Sequence, residues 1–342
     1  MRVGVVDCGT NSLRLLVADV EGARLREVTR LNEIVRLGEG VDAAGRLAPA
    51  AMDRAFAVLR RYAAICSEAG VERTRFAATS ASRDAANADE FVAGVTAAFP
   101  GLDPEVVTGE EEADLSFVGA TSALREHGED LGRTLVVDLG GGSTEFILGR
   151  ATAQAAEAEA SVSVKLGSVR LTERLLHPGG GFASLGAADD NGAAGRDDAP
   201  RVHDDGVPTA RAVGVATREI TARLQEVEAV VPFADVDTVV GVAGTVTTLT
   251  AHALHLESYD RSRIHGAHVD PASMLEACDD MLASSRERRA AMPFLHPGRV
   301  DVIAAGALIW AEILRRVQAR SPGMSLRTSE SDILDGMALR LR

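Results

Sequence analysis

Hydrophobic residues come first in short alternating runs, then in longer stretches at a helical period, and the order is used twice. Residues 3–7, 13–19 and 25–30 read as three strands of one meander. A helix follows over 49–69, with Met52, Phe56, Leu59 and Tyr62 on its apolar face. Strand 74–79 runs into Ser80-Ala81-Ser82-Arg83-Asp84, and a helix returns over 85–99. Strand 105–108 meets a helix from Glu110 to about Arg125. Three strands followed by alternating helices and strands make an α/β layer. The second half opens alike, with strands at 135–138, 144–148 and 158–166 and a helix at 168–177. Residues 178–208 break the pattern with glycines, paired aspartates and almost no large apolar side chains, so a mobile surface insertion is expected. Beyond it come helix 210–231, strand 238–242, a helix opening at 243–248, helices at about 271–284 and 299–320, and a closing strand and short helix within 325–342.

The repetition reaches individual residues. Asp138-Leu139-Gly140-Gly141-Gly142-Ser143-Thr144-Glu145 falls on Asp7-Cys8-Gly9-Thr10-Asn11-Ser12-Leu13-Arg14 at a shift of 131 residues (138 against 7). Asp, Gly and Ser coincide at Asp7/Asp138, Gly9/Gly140 and Ser12/Ser143, with an apolar run on each side. That is strand, tight turn, strand, used in two related half-domains. Such a turn suits phosphate: glycines reach φ > 0 and lack a Cβ, so backbone N–H groups converge on one anion. Ser12, Ser143 and Thr144 add hydroxyl donors, and Asp7 and Asp138 can hold Mg²⁺ against the same oxygens. A third turn, Ala243-Gly244-Thr245-Val246-Thr247-Thr248, opens a helix and offers further N–H groups to an anion.

Thr108-Gly109-Glu110-Glu111-Glu112-Ala113 has a plain explanation as a helix start, with Thr108 as N-cap and Glu111 completing a capping box. Glu112 is left over. A carboxylate crowded by two others beside phosphate is expected to have a raised pKa and to take a proton from water. Arg14 stands where the second copy has Glu145, which makes the two turns charge-asymmetric. Arg83 sits in a serine-rich turn, and a guanidinium pairs two phosphate oxygens at once; an ion pair with Glu90 is the plainer alternative. Arg299 begins a helix, an unfavourable end for a cation, which hints at another task. His265 and His268 lack a third ligand, and Trp310, Leu308, Ile313 and Leu314 read as core.

A length of 342 residues suggests about two domains. The net charge of −14 argues against nucleic acid and anionic membranes as partners, so a polyanionic substrate would need local arginines and metal. Cys8, Cys66 and Cys278 are odd in number and far apart, which fits packing residues in a reducing cytoplasm. No signal peptide is evident, and the apolar stretch 300–314 is broken by Asp301 and Glu312, so a cytoplasmic protein with no membrane span is expected.

Taken together, DCGTNSLRLLV, ATSASRDA, TGEEEADLSF, VVDLGGGSTEFILG and GVAGTVTTL resemble the exopolyphosphatase/guanosine pentaphosphatase (Ppx/GppA) phosphatases, of the actin, sugar-kinase and heat-shock chaperone ATPase superfamily. The similarity runs from Val3 to about Leu341. It implies an α/β fold of two ribonuclease-H-like (actin-like ATPase) domains with an interdomain cleft: residues 1–127, residues 128–299, and helices from about 300–342 packing back on the first. It implies Mg²⁺-dependent release of terminal orthophosphate from inorganic polyphosphate, or of the 5′ γ-phosphate of guanosine pentaphosphate, and a homodimer. Residue by residue, it carries the general base to Glu112. Phosphate and metal positions carry to Asp7, Thr10, Asn11, Ser12, Asp138, Gly140, Gly141, Ser143 and Glu145, with Gly142 and Thr144 in the same turn and Gly244 and Thr245 in the third. Its arginines carry to Arg14, Arg83 and Arg299. The insertion at 178–208 has no expected counterpart. The chain stops where longer relatives add helical domains, so short polyphosphates or a nucleotide are the expected substrates. A sugar or acetate kinase and a non-catalytic polyphosphate or alarmone sensor remain the rival readings.

Overall fold

A computed structural model describes all residues except 10, 11, 23, 36, 38–44, 79–84, 103, 126–128, 177–201 and 342. The described chain divides into two compact units, 1–122 with Asp332–Arg342, and 123–331.

The first unit carries β1 (Arg2–Cys8), β2 (Ser12–Glu21), β3 (Arg24–Ile34), α1 (Pro49–Glu68), β4 (Arg73–Ala78), α2 (Ala88–Ala98), β5 (Pro104–Val106) and α3 (Gly109–Arg125), the last turn of which enters the second unit. Its sheet runs β3-β2-β1-β4-β5. β1, β2 and β3 are antiparallel neighbours, whereas β4 and β5 lie parallel to β1. Val3, Val5 and Val6 of central β1 have no exposed surface, as a strand covered on both faces requires. Met52, Leu59 and Tyr62 of α1 face that core as expected, Phe56 stacks on Phe91 at 5.7 Å, and the Tyr62 hydroxyl donates to the Leu13 carbonyl at 3.0 Å. Gly4 lets α1 close on the sheet, since a Cβ there would lie 2.9 Å from Cys66 Sγ. Burial pushes the Cys66 thiol up to about 11, in keeping with a packing role.

The second unit carries β6 (Gly132–Leu139), β7 (Thr144–Ala151), β8 (Ala156–Val164), α4 (Ser168–Leu171) with a wide turn over Thr172–Leu176, α5 (Ala210–Glu228), β9 (Thr238–Val242), α6 (Ala243–Ala253), α7 (Arg261–Ile264), α8 (Pro271–Ala283), α9 (Arg286–Ala290), α10 (Ile303–Arg320) and β10 (Ser325–Thr328). Its sheet runs β8-β7-β6-β9-β10, the order of the first sheet with each strand replaced by its counterpart. The register repeats too. Asp7 faces Arg14 across β1–β2, and Asp138 faces Glu145 across β6–β7. A bulge falls between Val17 and Ala18 and again between Leu148 and Gly149, once more 131 residues apart. Two ribonuclease-H-like units are therefore present.

Some elements differ from expectation. The resemblance places the helices of about 300–342 against the first domain, but α10 belongs to the second unit. Trp310, Ile313 and Leu314 have no exposed surface there, and Gly241 of β9 leaves room for Trp310, whose ring carbons would lie 2.8 Å from a Cβ. β10 extends the second sheet beside β9. Only the last helix, α11 (Ile333–Arg340), joins the first unit. Of the expected insertion, 178–201 lies outside the described residues, while 202–208 is a packed turn: Val202 is buried, and Arg286 N donates to the Asp205 carbonyl at 2.8 Å.

Candidate active site

The β6–β7 turn is closed by Gly140 N donating to the Ser143 carbonyl at 3.0 Å. The start of α4 grips its other carbonyls. Ser168 N donates to Gly140 O at 3.1 Å, Val169 N and Arg170 N to Gly141 O at 2.9 and 3.1 Å, and Arg170 Nε to Gly142 O at 2.9 Å. In a trans peptide the carbonyl and the next N–H point in opposite directions, so the N–H groups of Gly141, Gly142 and Ser143 face away from α4. None of the three has an acceptor among the described residues. Outward backbone donors of this kind suit an anion.

None of the turn glycines uses positive φ, contrary to expectation. What they supply is space. A Cβ on Gly141 would lie 3.1 Å from the Val169 side chain, and one on Gly167 would overlap the Gly141 carbonyl. The bracing residues Gly167, Ser168 and Arg170 were not singled out from sequence. Their signal was Gly167-Ser168 directly after a strand, the same glycine-then-hydroxyl pattern as in the other turns.

Around this turn Asp138 is half-buried beside Glu145. Glu145 Oε1 accepts from Ser143 Oγ at 2.7 Å and Ser163 Oγ at 2.8 Å. Burial pushes the Glu145 carboxyl up, and the two serine hydrogen bonds oppose that. Thr144 corrects an expectation: its hydroxyl is buried and donates to the Leu166 carbonyl, so it is spent on the fold and not offered to a ligand.

β9 runs parallel to β6 with Val242 opposite Asp138, so the third turn stands beside the second at the strands' carboxyl ends. Sequence starts a helix at Arg299, but the residue ends a single tight turn, Pro297–Arg299, and α10 begins only at Ile303. Its guanidinium lies against Gly244, where a Cβ would overlap it. Thr245 is buried beneath Gly306, which also meets Ser168, so α10 ties the third turn to the brace of the second. The structure thus brings together Asp138, Gly140, Gly141, Gly142, Ser143, Glu145, Gly244, Thr245 and Arg299.

In the first unit, β1, β4 and β5 are parallel with Cys8 opposite Ala78 and Ala78 opposite Val106, so their carboxyl ends share one edge. That edge carries the Gly9–Ser12 turn, closed by Gly9 N to Ser12 O at 3.0 Å, and the acidic start of α3. Asp7 is 3 % exposed. Its Oδ2 accepts from Arg14 Nε at 2.8 Å and Nη2 at 2.5 Å, while its buried Oδ1 has no partner among the described residues. Burial pushes the Asp7 carboxyl up, and the neighbouring Arg14 charge opposes it. Thr108 Oγ1 caps α3 by accepting from Glu111 N at 3.1 Å. The capping box stays half-made, because the Glu111 carboxylate pairs with Arg75 at 2.5 Å. Glu110 is exposed and Glu112 half-buried one residue on from that pair. Thr10, Asn11 and Arg83 lie outside the described residues.

Among the described residues no three His, Cys, Asp or Glu side chains converge as a metal site. Two adjacent carboxylates, Asp138 and Glu145, nevertheless suit a hard cation that keeps its waters and shares phosphate oxygens with the protein. No helix among the described residues is long and apolar enough to cross a membrane.

The sequence profile of the Ppx/GppA phosphatase family matches residues 16–184 and 199–341. Exopolyphosphatase 2 of Mycobacterium tuberculosis is 42% identical over 99% of this chain and 98% of its own length. A crystal structure of an exopolyphosphatase-like protein superimposes with a TM-score of 0.77 at 35% identity, covering 99% of this chain and 98% of that one. The type II variant of the Aquifex aeolicus Ppx/GppA phosphatase gives 0.77 at 27% identity over the same shares. With twin turns on twin sheets and a match along nearly its whole length, the chain belongs to the Ppx/GppA phosphatase family.

Proposed function

We propose that this chain is an exopolyphosphatase, an enzyme that hydrolyses the terminal phosphoanhydride bond of inorganic polyphosphate. The observation that carries the reading is the turn at Gly140–Ser143, with three outward N–H groups beside Asp138 and Glu145, in a chain 42% identical to an exopolyphosphatase. Phosphoryl transfer asks mainly for positioning and charge neutralisation. The N–H groups of Gly141, Gly142 and Ser143 would hold non-bridging oxygens, with Gly244, Thr245 and Arg299 binding further along the substrate. Arg14 would neutralise charge as it builds on the transferred group, with Arg83, Thr10, Asn11 and Ser12 in support. When bound, Mg²⁺ on Asp138 and Glu145, with Asp7 also a candidate through Oδ1, would screen the phosphate oxygens. Glu112 would orient the attacking water and take its proton.

Glu112→Gln is expected to lower phosphate release by about 10²–10⁴-fold, the usual worth of a general base, and to leave polyphosphate affinity within about twofold. Wild-type turnover in that variant rejects the assignment. The same donors would accept the 5′-terminal phosphate of guanosine pentaphosphate. Orthophosphate release from polyphosphates of graded length, run beside that nucleotide, decides between the substrates. We also take the enzyme to be cytoplasmic and Mg²⁺-dependent.

A further inference from the structure

We propose that Asp332 is a positioning residue for the reaction proposed above: from the start of α11 it holds the Arg14 guanidinium in the orientation in which Arg14 meets phosphoryl oxygens. Arg14 Nη1 donates to Asp332 Oδ2, while Nε and Nη2 donate to Asp7 Oδ2. Two carboxylates that lie far apart in sequence therefore grip one guanidinium. A lone arginine would lose several rotamers on meeting substrate; one held at both ends has already lost them.

Both holders are themselves fixed. Asp7 sits on the central strand. Asp332 Oδ1 accepts from Leu334 N at 3.0 Å, and Asp332 N donates to Asp335 Oδ2 at 2.9 Å, a reciprocal cap on α11. Arg30 of β3 locks that cap by donating to Asp335 Oδ1 at 2.8 Å, with Asp332 Oδ1 at 3.5 Å. α11 also lies in backbone contact with α3, since a Cβ on Gly119 would overlap the Asp332 carbonyl and one on Gly336 the Leu115 carbonyl. The helix that begins at the acidic turn of Glu112 thus sets the height of the helix that aims Arg14.

The plain alternative is that Asp332 only caps α11. Asparagine caps a helix as well as aspartate does. Asp332→Asn therefore keeps the cap and removes the charge that orients Arg14. The expected result is an unchanged thermal midpoint with kcat/KM on polyphosphate and polyphosphate affinity each down about tenfold, in the range that misplacement of a binding group produces. In an Arg14→Ala background the same substitution is expected to change affinity by less than about twofold, because residues acting as one unit do not add. Equal losses of affinity in both backgrounds, or none in the otherwise wild-type protein, overturn the proposal. Absence of phosphate release by the wild type from any polyphosphate overturns the functional reading instead.

Discussion

The turns at Gly9–Ser12 and Gly140–Ser143 share a length, a closing hydrogen bond, flanking strands and even the position of a downstream bulge. They differ in what faces the leading aspartate. Across from Asp7 is Arg14, which cancels its charge and is in turn held by it. Across from Asp138 is Glu145, which adds a second carboxylate where the first turn has a cation. One backbone design thus serves two electrostatic purposes, and a single cross-strand residue separates them. The fold supplies the scaffold, and the site is written onto it.

Removing one member of the acid pair tests that contrast most severely. Asp138→Asn is expected to cut phosphate release by about 10²–10³-fold, as loss of a preorganised electrostatic group does, and to shift the Mg²⁺ titration to higher concentration. An unaltered Mg²⁺ dependence would separate the pair from the ion. Gly167→Ala attacks the brace behind the second turn. The added Cβ meets the Gly141 carbonyl, so the substitution should cost about 1–3 kcal/mol of stability by overpacking and weaken polyphosphate binding, read by thermal melting and titration. A melt and affinity like the wild type's would mean the turn yields easily.

The mildest effect is a pH dependence. Glu145 has its folded pKa raised, chiefly by burial. The folded state therefore holds its proton through a window in which the unfolded chain has already released it. Stability from this group is fully present below the unfolded value of about 4.3 and is lost as pH rises through the folded one. Metal-free Glu145→Gln should melt above the wild type near neutral pH and lose that advantage in acid. Parallel melting curves across pH would contradict the burial argument.

Much of the fold was legible in the chain because its signals are local. Alternation marks strands, a helical period placed Met52, Leu59 and Tyr62 on one face, and the duplicated turn is visible at a fixed shift. Roles that depend on distant partners were not. Thr144 looked like a ligand donor until Leu166 took its hydroxyl, and Arg170 gave no hint of reaching Gly142. Arg299 was noticed for a helix it does not start; its place against Gly244 appears only once α10 folds back.

The strands, the repeat and its aspartates follow from spacing and side-chain type, which act between near neighbours. Which helix joined which core, and that Asp332 closed on Arg14, depended on residues hundreds of positions apart meeting once both sheets had buried their apolar faces. Such contacts carry no period along the chain, so only the folded molecule could reveal them.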